Sequence, residues 1–134
     1  MISGRHPALS RAAVVRAAEG VLRGERRRAA LSISFVGRDR MRALNADWRG
    51  TARPTDVLAF PLAGPGGSLA GDIYICPWVA AREASARRIP LTQELRRLVV
   101  HGVLHVLGFE HPEGGAREAS AMWRRQERYV RALA

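Results

Sequence analysis

His101, His105 and His111 place three of the chain's four imidazoles in one short apolar run, spaced His-x3-His-x5-His. Histidines four apart on a helix sit about 40° apart around its axis and about 6 Å along it, so both rings can turn toward one cation. Gly108 stands where such a helix would stop. A glycine there adopts the left-handed conformation that ends a helix and turns the chain back, which carries His111 toward the same point. Three neutral nitrogen donors with a fourth position open describe a catalytic zinc centre rather than a structural one. Zinc lowers the pKa of a bound water toward neutrality, which readies it for attack on a carbonyl carbon or a phosphorus atom. Imidazole donors also suit other divalent transition metals.

Written as His-x-x-x-His-x-x-Gly-x-x-His, the spacing matches the extended zinc signature of metalloproteases. Those enzymes carry a glutamate directly after the first histidine, as general base. Here that residue is Gly102, which transfers no proton. The nearest carboxylate, Glu110, either moves a proton or orients a ligand. Phosphodiester cleavage asks less of a carboxylate, because a metal and arginines stabilise charge on the phosphoryl oxygens. The missing base favours phosphate over peptide.

Charge points the same way. The chain has 22 basic residues, every one an arginine, against 12 acidic ones, for a net charge of +10. Guanidinium groups grip phosphate through paired N–H donors and stack on bases, so the excess favours a polyanionic partner, nucleic acid foremost. With 134 residues, 47% hydrophobic and 25% charged, residues 1–134 read as a single globular domain with a real core. No apolar stretch approaches the roughly 18 residues of a membrane span, and the first residues lack the apolar core of a signal peptide. The single cysteine, Cys76, permits no internal disulfide. It reads as a small buried hydrophobe in a reducing, cytoplasmic setting.

The elements that must position the histidines can be read from periodicity. Ser10 caps a helix over 9–24 with an apolar stripe from Ala13 to Leu22. Leu31–Val36 alternates as a strand, and Asp39 caps a short helix through Met41, Leu44 and Asn45. Trp48 to Pro54 reads as loop. Val57–Leu62 is a second strand whose Pro61 marks an edge or a terminus, followed by a Gly-rich turn and a third strand, Asp72–Cys76. Pro77 opens a helix to about Arg88. Thr92 caps a long, nearly all-apolar helix that carries the histidines and buries on most sides. A last helix, about 116–133, has one apolar face and one arginine face. Strands early and helices late give an α+β class.

With these residues assembled, the chain resembles the bacterial YbeY family of single-strand-specific endoribonucleases. His101 to His111 follows the family pattern His-Gly-x-Leu-His-Leu-x-Gly-Tyr-Asp-His, with Val106, Phe109 and Glu110 as conservative replacements. Asn45 to Gly50 and Arg53 to Pro61 resemble Leu-Asn-x-x-Tyr-Arg-Gly…Pro-Thr-Asp-Val-Leu-Ser-Phe-Pro, with Trp48 and Ala59 replacing tyrosine and serine. Gly71-Asp72-Ile73 resembles the family's Gly-Asp-Ile strand.

The resemblance implies a zincin-like fold: a small mixed β-sheet packed against helices, with a central metal-binding helix. It implies one Zn2+ held by His101, His105 and His111, and Arg49 as the catalytic arginine gripping phosphate. Thr55 and Asp56 fix the loop by side-chain-to-backbone bonds. The implied substrate is single-stranded rRNA, with ribosomal subunits as partners, in maturation of the 16S rRNA 3′ end and ribosome quality control, and without DNA or membrane. The family's usual first strand is expected to be short or absent here. Two rivals stand beside this reading. One is a peptidase-like metal-dependent hydrolase, and the other a non-catalytic ribosome-associated module with structural zinc.

Overall fold

Ser10 has extended backbone, and its hydroxyl accepts a hydrogen bond from the Ala13 N–H at 3.1 Å. This is the cap expected for the first helix. The structure, a computed structural model, describes residues 2–3, 8–50, 55–109 and 121–133, with the side chains of Ser3 and Arg49 excepted. In chain order the elements are β1 (Ile2–Ser3), α1 (Arg11–Glu25), β2 (Ala30–Phe35), α2 (Arg38–Arg49), β3 (Val57–Ala63), β4 (Leu69–Ile75), α3 (Pro77–Arg87), α4 (Leu91–Val106) and α5 (Ala121–Ala132).

The strands form one mixed sheet in the order β1-β2-β4-β3. β1, β2 and β4 run parallel, and β3 runs antiparallel to β4 as one arm of a hairpin. The expected first strand is thus present, described over two residues. Side-chain alternation divides the core between the two faces. Ile73 and Ile75 of β4, with Val57 and Ala59 of β3, meet α1 and α4 in the main cluster. Leu58, Phe60 and Tyr74 point the other way and pack with Met41 and Leu44 of α2 and with Val79 of α3, around the fully buried Cys76.

Pro61 lies on the outermost strand, as its chemistry requires. The Cys76 N–H donates to the Asp56 carbonyl at one end of the hairpin, and Gly64 N–H to the Ser68 carbonyl at the other. Counting by twos between these pairs puts Pro61, opposite Gly71, at a non-hydrogen-bonded position. Its missing N–H therefore removes nothing from the sheet.

α4 lies close on β4 because both elements supply a glycine. A Cβ on Gly102 would sit 2.7 Å from Ile73 Cγ2, and one on Gly71 would sit 2.5 Å from Val106 Cγ2. Gly102→Ala is therefore expected to destabilise the fold by about 1–3 kcal/mol through overpacking against a stiff, β-branched neighbour. The better helix propensity of alanine offsets up to about 1 kcal/mol of that. A lower urea midpoint at unchanged m-value is the expected result.

Several boundaries differ from the sequence reading; β4, for one, begins at Leu69, three residues before Asp72. α2 continues through Trp48 and Arg49, residues expected in a loop, because Met41, Leu44, Asn45 and Trp48 share a helical face, with Met41 and Asn45 fully packed. Asp39 sits inside the first turn rather than capping it; Gly37 holds the cap position, and the carboxylate instead meets the positive end of the helix. α4 starts at Leu91, one residue before Thr92. The Pro90 carbonyl already accepts from the Gln93 and Glu94 N–H groups. The last helix is described from Ala121, and residues 116–120 lie outside the described residues.

Candidate metal centre

α4 has the burial expected of a central helix. Leu95, Leu98, Val99, Val100, Val103, Leu104 and Val106 are all buried, which fixes the helix on the sheet and leaves little freedom to rotate. His101 and His105 share its remaining face and are each half-buried. Beyond Val106 the helix closes in a Schellman motif. Gly108 has φ 103°, its N–H donates to the His105 carbonyl, and the Phe109 N–H donates to the Leu104 carbonyl, both at 3.0 Å. The left-handed glycine stop expected from sequence is present, one residue past the cap.

Glu110 and His111 lie outside the described residues. Among those described, no three His, Cys, Asp or Glu side chains form a cluster able to hold a metal; His101 and His105 are two of the three expected ligands. Arg49 is the last residue of α2, which Gly50 ends at φ 72°, and its side chain is not among those described. Asp56 contributes its backbone carbonyl to the hairpin, as noted above.

His101 is not a bare imidazole on a helix. Its Nδ1 lies 2.9 Å from Gln126 Oε1 of α5, and Gln126 is almost fully buried. Gln126 Nε2 in turn donates to Glu127 Oε2 at 3.0 Å. Both Glu127 oxygens accept from Arg97, Nε at 2.8 Å and Nη2 at 2.9 Å. Arg97 Nη1 completes its fork on Glu94 Oε1 at 2.9 Å, with Arg87 Nη1 of α3 3.9 Å from the same oxygen. A buried polar chain thus ties α3, α4 and α5 together behind the histidine.

The electrostatics follow from burial and pairing. Burial pushes the Glu94 carboxyl above the usual glutamate range, outweighing the Arg97 hydrogen bond and the nearby guanidinium charges. Burial also pushes Glu127 upward. There the Arg97 and Gln126 hydrogen bonds and the Arg97 charge prevail, and its pKa falls below the ordinary value. The hydrogen bond to Glu127, against the opposing effect of burial, raises Arg97.

This chemistry fits a metal-binding histidine. An imidazole that donates from Nδ1 keeps its unprotonated lone pair on Nε2, the arrangement in which histidine ligates a cation. The donor set on α4 is compatible with zinc in that respect.

Sequence reading missed this polar chain. Glu94 stands in the first turn of α4, where it is a buried charge held by Arg97. The signal was present: Glu94 and Arg97 are three apart in an otherwise apolar helix, and buried charges require partners. α5 likewise does not turn all its arginines to solvent. Arg125 donates to both Glu25 oxygens, at 3.1 and 3.0 Å, and lies 4.7 Å over the Phe109 ring. Two tryptophans stand outward on the far face of the sheet. Trp48, 66% exposed, packs on Phe60 with ring centroids 4.9 Å apart. Trp78, 42% exposed, has the Arg38 and Arg82 guanidiniums 5.0 and 4.9 Å from its ring centroid.

Comparison with known proteins places these features in a family. The family described as Endoribonuclease YbeY matches residues 8–134. A protein of that name from an Anaeromyxobacter species is 40% identical over 136 aligned positions, covering 98% of this chain and 70% of the relative. Its namesake from Halorhodospira halophila is 36% identical over 121 positions, covering 86% and 77%. Another, from Chromohalobacter salexigens, is 43% identical over 95 positions, with 69% of this chain and 60% of the relative covered. Among solved structures, a Thermotoga maritima protein determined in solution superposes with a TM-score of 0.68 at 29% identity. That alignment covers 98% of this chain and 87% of the other.

Proposed function

Since this chain belongs to the YbeY endoribonuclease family, we propose that it is a zinc-dependent nuclease for single-stranded RNA. Its substrate would be rRNA, in maturation of the 16S 3′ end and ribosome quality control in the cytoplasm. The reading rests above all on His101: a ligand-ready imidazole, anchored at Nδ1 by Gln126, one turn from His105 on a helix that ends at Gly108. His101, His105 and His111 would hold the ion. When bound, zinc would supply Lewis acidity toward a phosphoryl oxygen and an activated nucleophile.

The residues of the chain do the rest. Arg49 closes α2 directly before the segment leading to β3, and its guanidinium would clamp the scissile or neighbouring phosphate in a bidentate grip. Gly102 faces Ile73 of the sheet, so the position that carries the protease glutamate is turned into the core here. That supports phosphate chemistry over peptide hydrolysis. Trp48 offers an exposed aromatic surface, and Trp78 carries the Arg38 and Arg82 guanidiniums against its ring; aromatic rings and guanidiniums are the groups on which unpaired bases stack without sequence preference.

The test is cleavage of a labelled single-stranded RNA by the purified protein, with and without chelator, beside duplex RNA and an unstructured polypeptide. Chelator-sensitive cleavage of the single strand alone is the expected outcome. Proteolysis, or tight RNA binding without any cleavage, would overturn it. Arg49→Ala is expected to keep its zinc and lose cleavage by about 10²–10³-fold, the effect of deleting one transition-state charge contact.

A further inference from the structure

The hydrogen bonds behind His101 have a direction, and that direction fixes where a proton sits. Glu127 is held by Arg97 at both oxygens, so it is an ionised carboxylate and accepts only. The Gln126 atom facing it at 3.0 Å must therefore be the amide nitrogen. That assignment leaves the amide oxygen facing His101 Nδ1 at 2.9 Å. An amide oxygen cannot donate. The proton between them belongs to the imidazole.

We propose that Gln126 is a positioning residue that holds His101 in the Nδ1–H tautomer and so leaves the lone pair on Nε2, and that the Arg97–Glu127 pair sets the orientation of the Gln126 amide. The chain of cause runs Glu94, Arg97, Glu127, Gln126, His101, each member buried or half-buried. Gln126 is only 3% exposed, so water cannot readily replace it as acceptor. The arrangement has the same logic as the carboxylate–histidine–metal triads of zinc sites, with a neutral amide in the accepting role. A neutral acceptor orients the ring without adding negative charge to the site. Anionic RNA would approach that same site.

The tautomer is a property of the metal-free chain; its purpose toward zinc rests on the ligand reading proposed above, and the two can be separated. Long-range proton–nitrogen correlation spectra of the metal-free protein, labelled with ¹⁵N in histidine, report which ring nitrogen of His101 is protonated. The wild type is expected to show Nδ1–H. Gln126→Leu removes the acceptor and should shift the ring toward Nε2–H, the tautomer a free imidazole prefers. Glu127→Gln frees the Gln126 amide to turn over and should give a mixture. Gln126→Glu, protonated on the oxygen that meets Glu127, keeps an acceptor toward His101 and should restore Nδ1–H, which a merely space-filling role would not do.

Zinc affinity, read by competition with a chromophoric chelator, is expected to fall about 10–100-fold in Gln126→Leu and to recover in Gln126→Glu. An Nε2–H ring in the wild type would overturn the proposal, and that measurement needs no variant. So would Gln126→Leu with the wild-type tautomer or undiminished zinc affinity. A wild type that shows Nδ1–H but binds no zinc would overturn both the ligand reading and the role of Gln126 toward it.

Discussion

Alanine in place of His105 is expected to remove zinc and RNA cleavage together from a chain that still folds. His105 lies in the last turn of α4, and it is half-buried, so truncation leaves an opening at the surface rather than a closed cavity. Its backbone carbonyl keeps the Gly108 N–H bond that ends the helix, and Gly108 keeps its conformation whatever side chain residue 105 carries. The loss therefore falls on the ion. A ligand bound only by the folded state stabilises it by about 2.7 kcal/mol at a free concentration about 100 times Kd. Added zinc should raise the unfolding temperature of the wild type and leave that of His105→Ala unchanged. Metal content by elemental analysis and cleavage of single-stranded RNA should fall in parallel. A His105→Ala protein that binds zinc as the wild type does would remove this residue from the site.

The second large effect is on stability. Arg97→Ala should cost about 3–5 kcal/mol, the range for breaking a buried ion pair from one side. Its removal leaves Glu94, whose side chain is 2% exposed, only the more distant Arg87 guanidinium, and takes the bidentate partner from Glu127. The pH dependence gives the mechanism. In the wild type Glu127 has a lowered pKa, so its stabilising contribution is complete above the ordinary glutamate value near 4.5 and is lost as pH falls through the folded value. Glu94 has a raised pKa. Its favourable contribution is complete below that ordinary value and is lost as pH rises through its folded value. Without Arg97 both carboxyls shift upward, and both fold better when protonated. The gap between wild type and Arg97→Ala should therefore be widest near neutrality and narrow below about pH 4.5. A gap independent of pH would mean that lost packing, not charge, accounts for the cost.

These residues show what the sequence exposes and what it conceals. Helix ends were legible where one side chain decides the matter: Ser10 accepts from the backbone, Pro77 opens α3, and Gly108 takes the left-handed turn. Pro61 marked an edge strand for the same reason, having no proton to give. The α+β class followed from the order of periods. The carboxy-terminal part of α2 escaped because Trp48-Arg49-Gly50 has loop-like composition, and the stripe Met41, Leu44, Asn45, Trp48 becomes persuasive only with a sheet face to bury it.

The Gln126–Glu127 connection escaped for a different reason. The partners of His101 and Arg97 lie 25 and 30 residues away along the chain, and no local period links them. Sequence alone could place the imidazoles on one helix face; it could not say what stands behind them. The residue following the first histidine belongs to both kinds. Gly102 was read as a missing base, and the structure adds the packing reason: a Cβ there would press on Ile73.

The outer rim of the hairpin bears on how the protein meets other chains. Along β3 the outward amide donors fall at every second residue, Val57, Ala59 and Ala63, and at Pro61 one rung of that series is missing. An extended polypeptide laid against this rim could not zip along its whole length, whether a substrate peptide or the same strand of another copy. The interrupted series works against sheet growth from one molecule to the next.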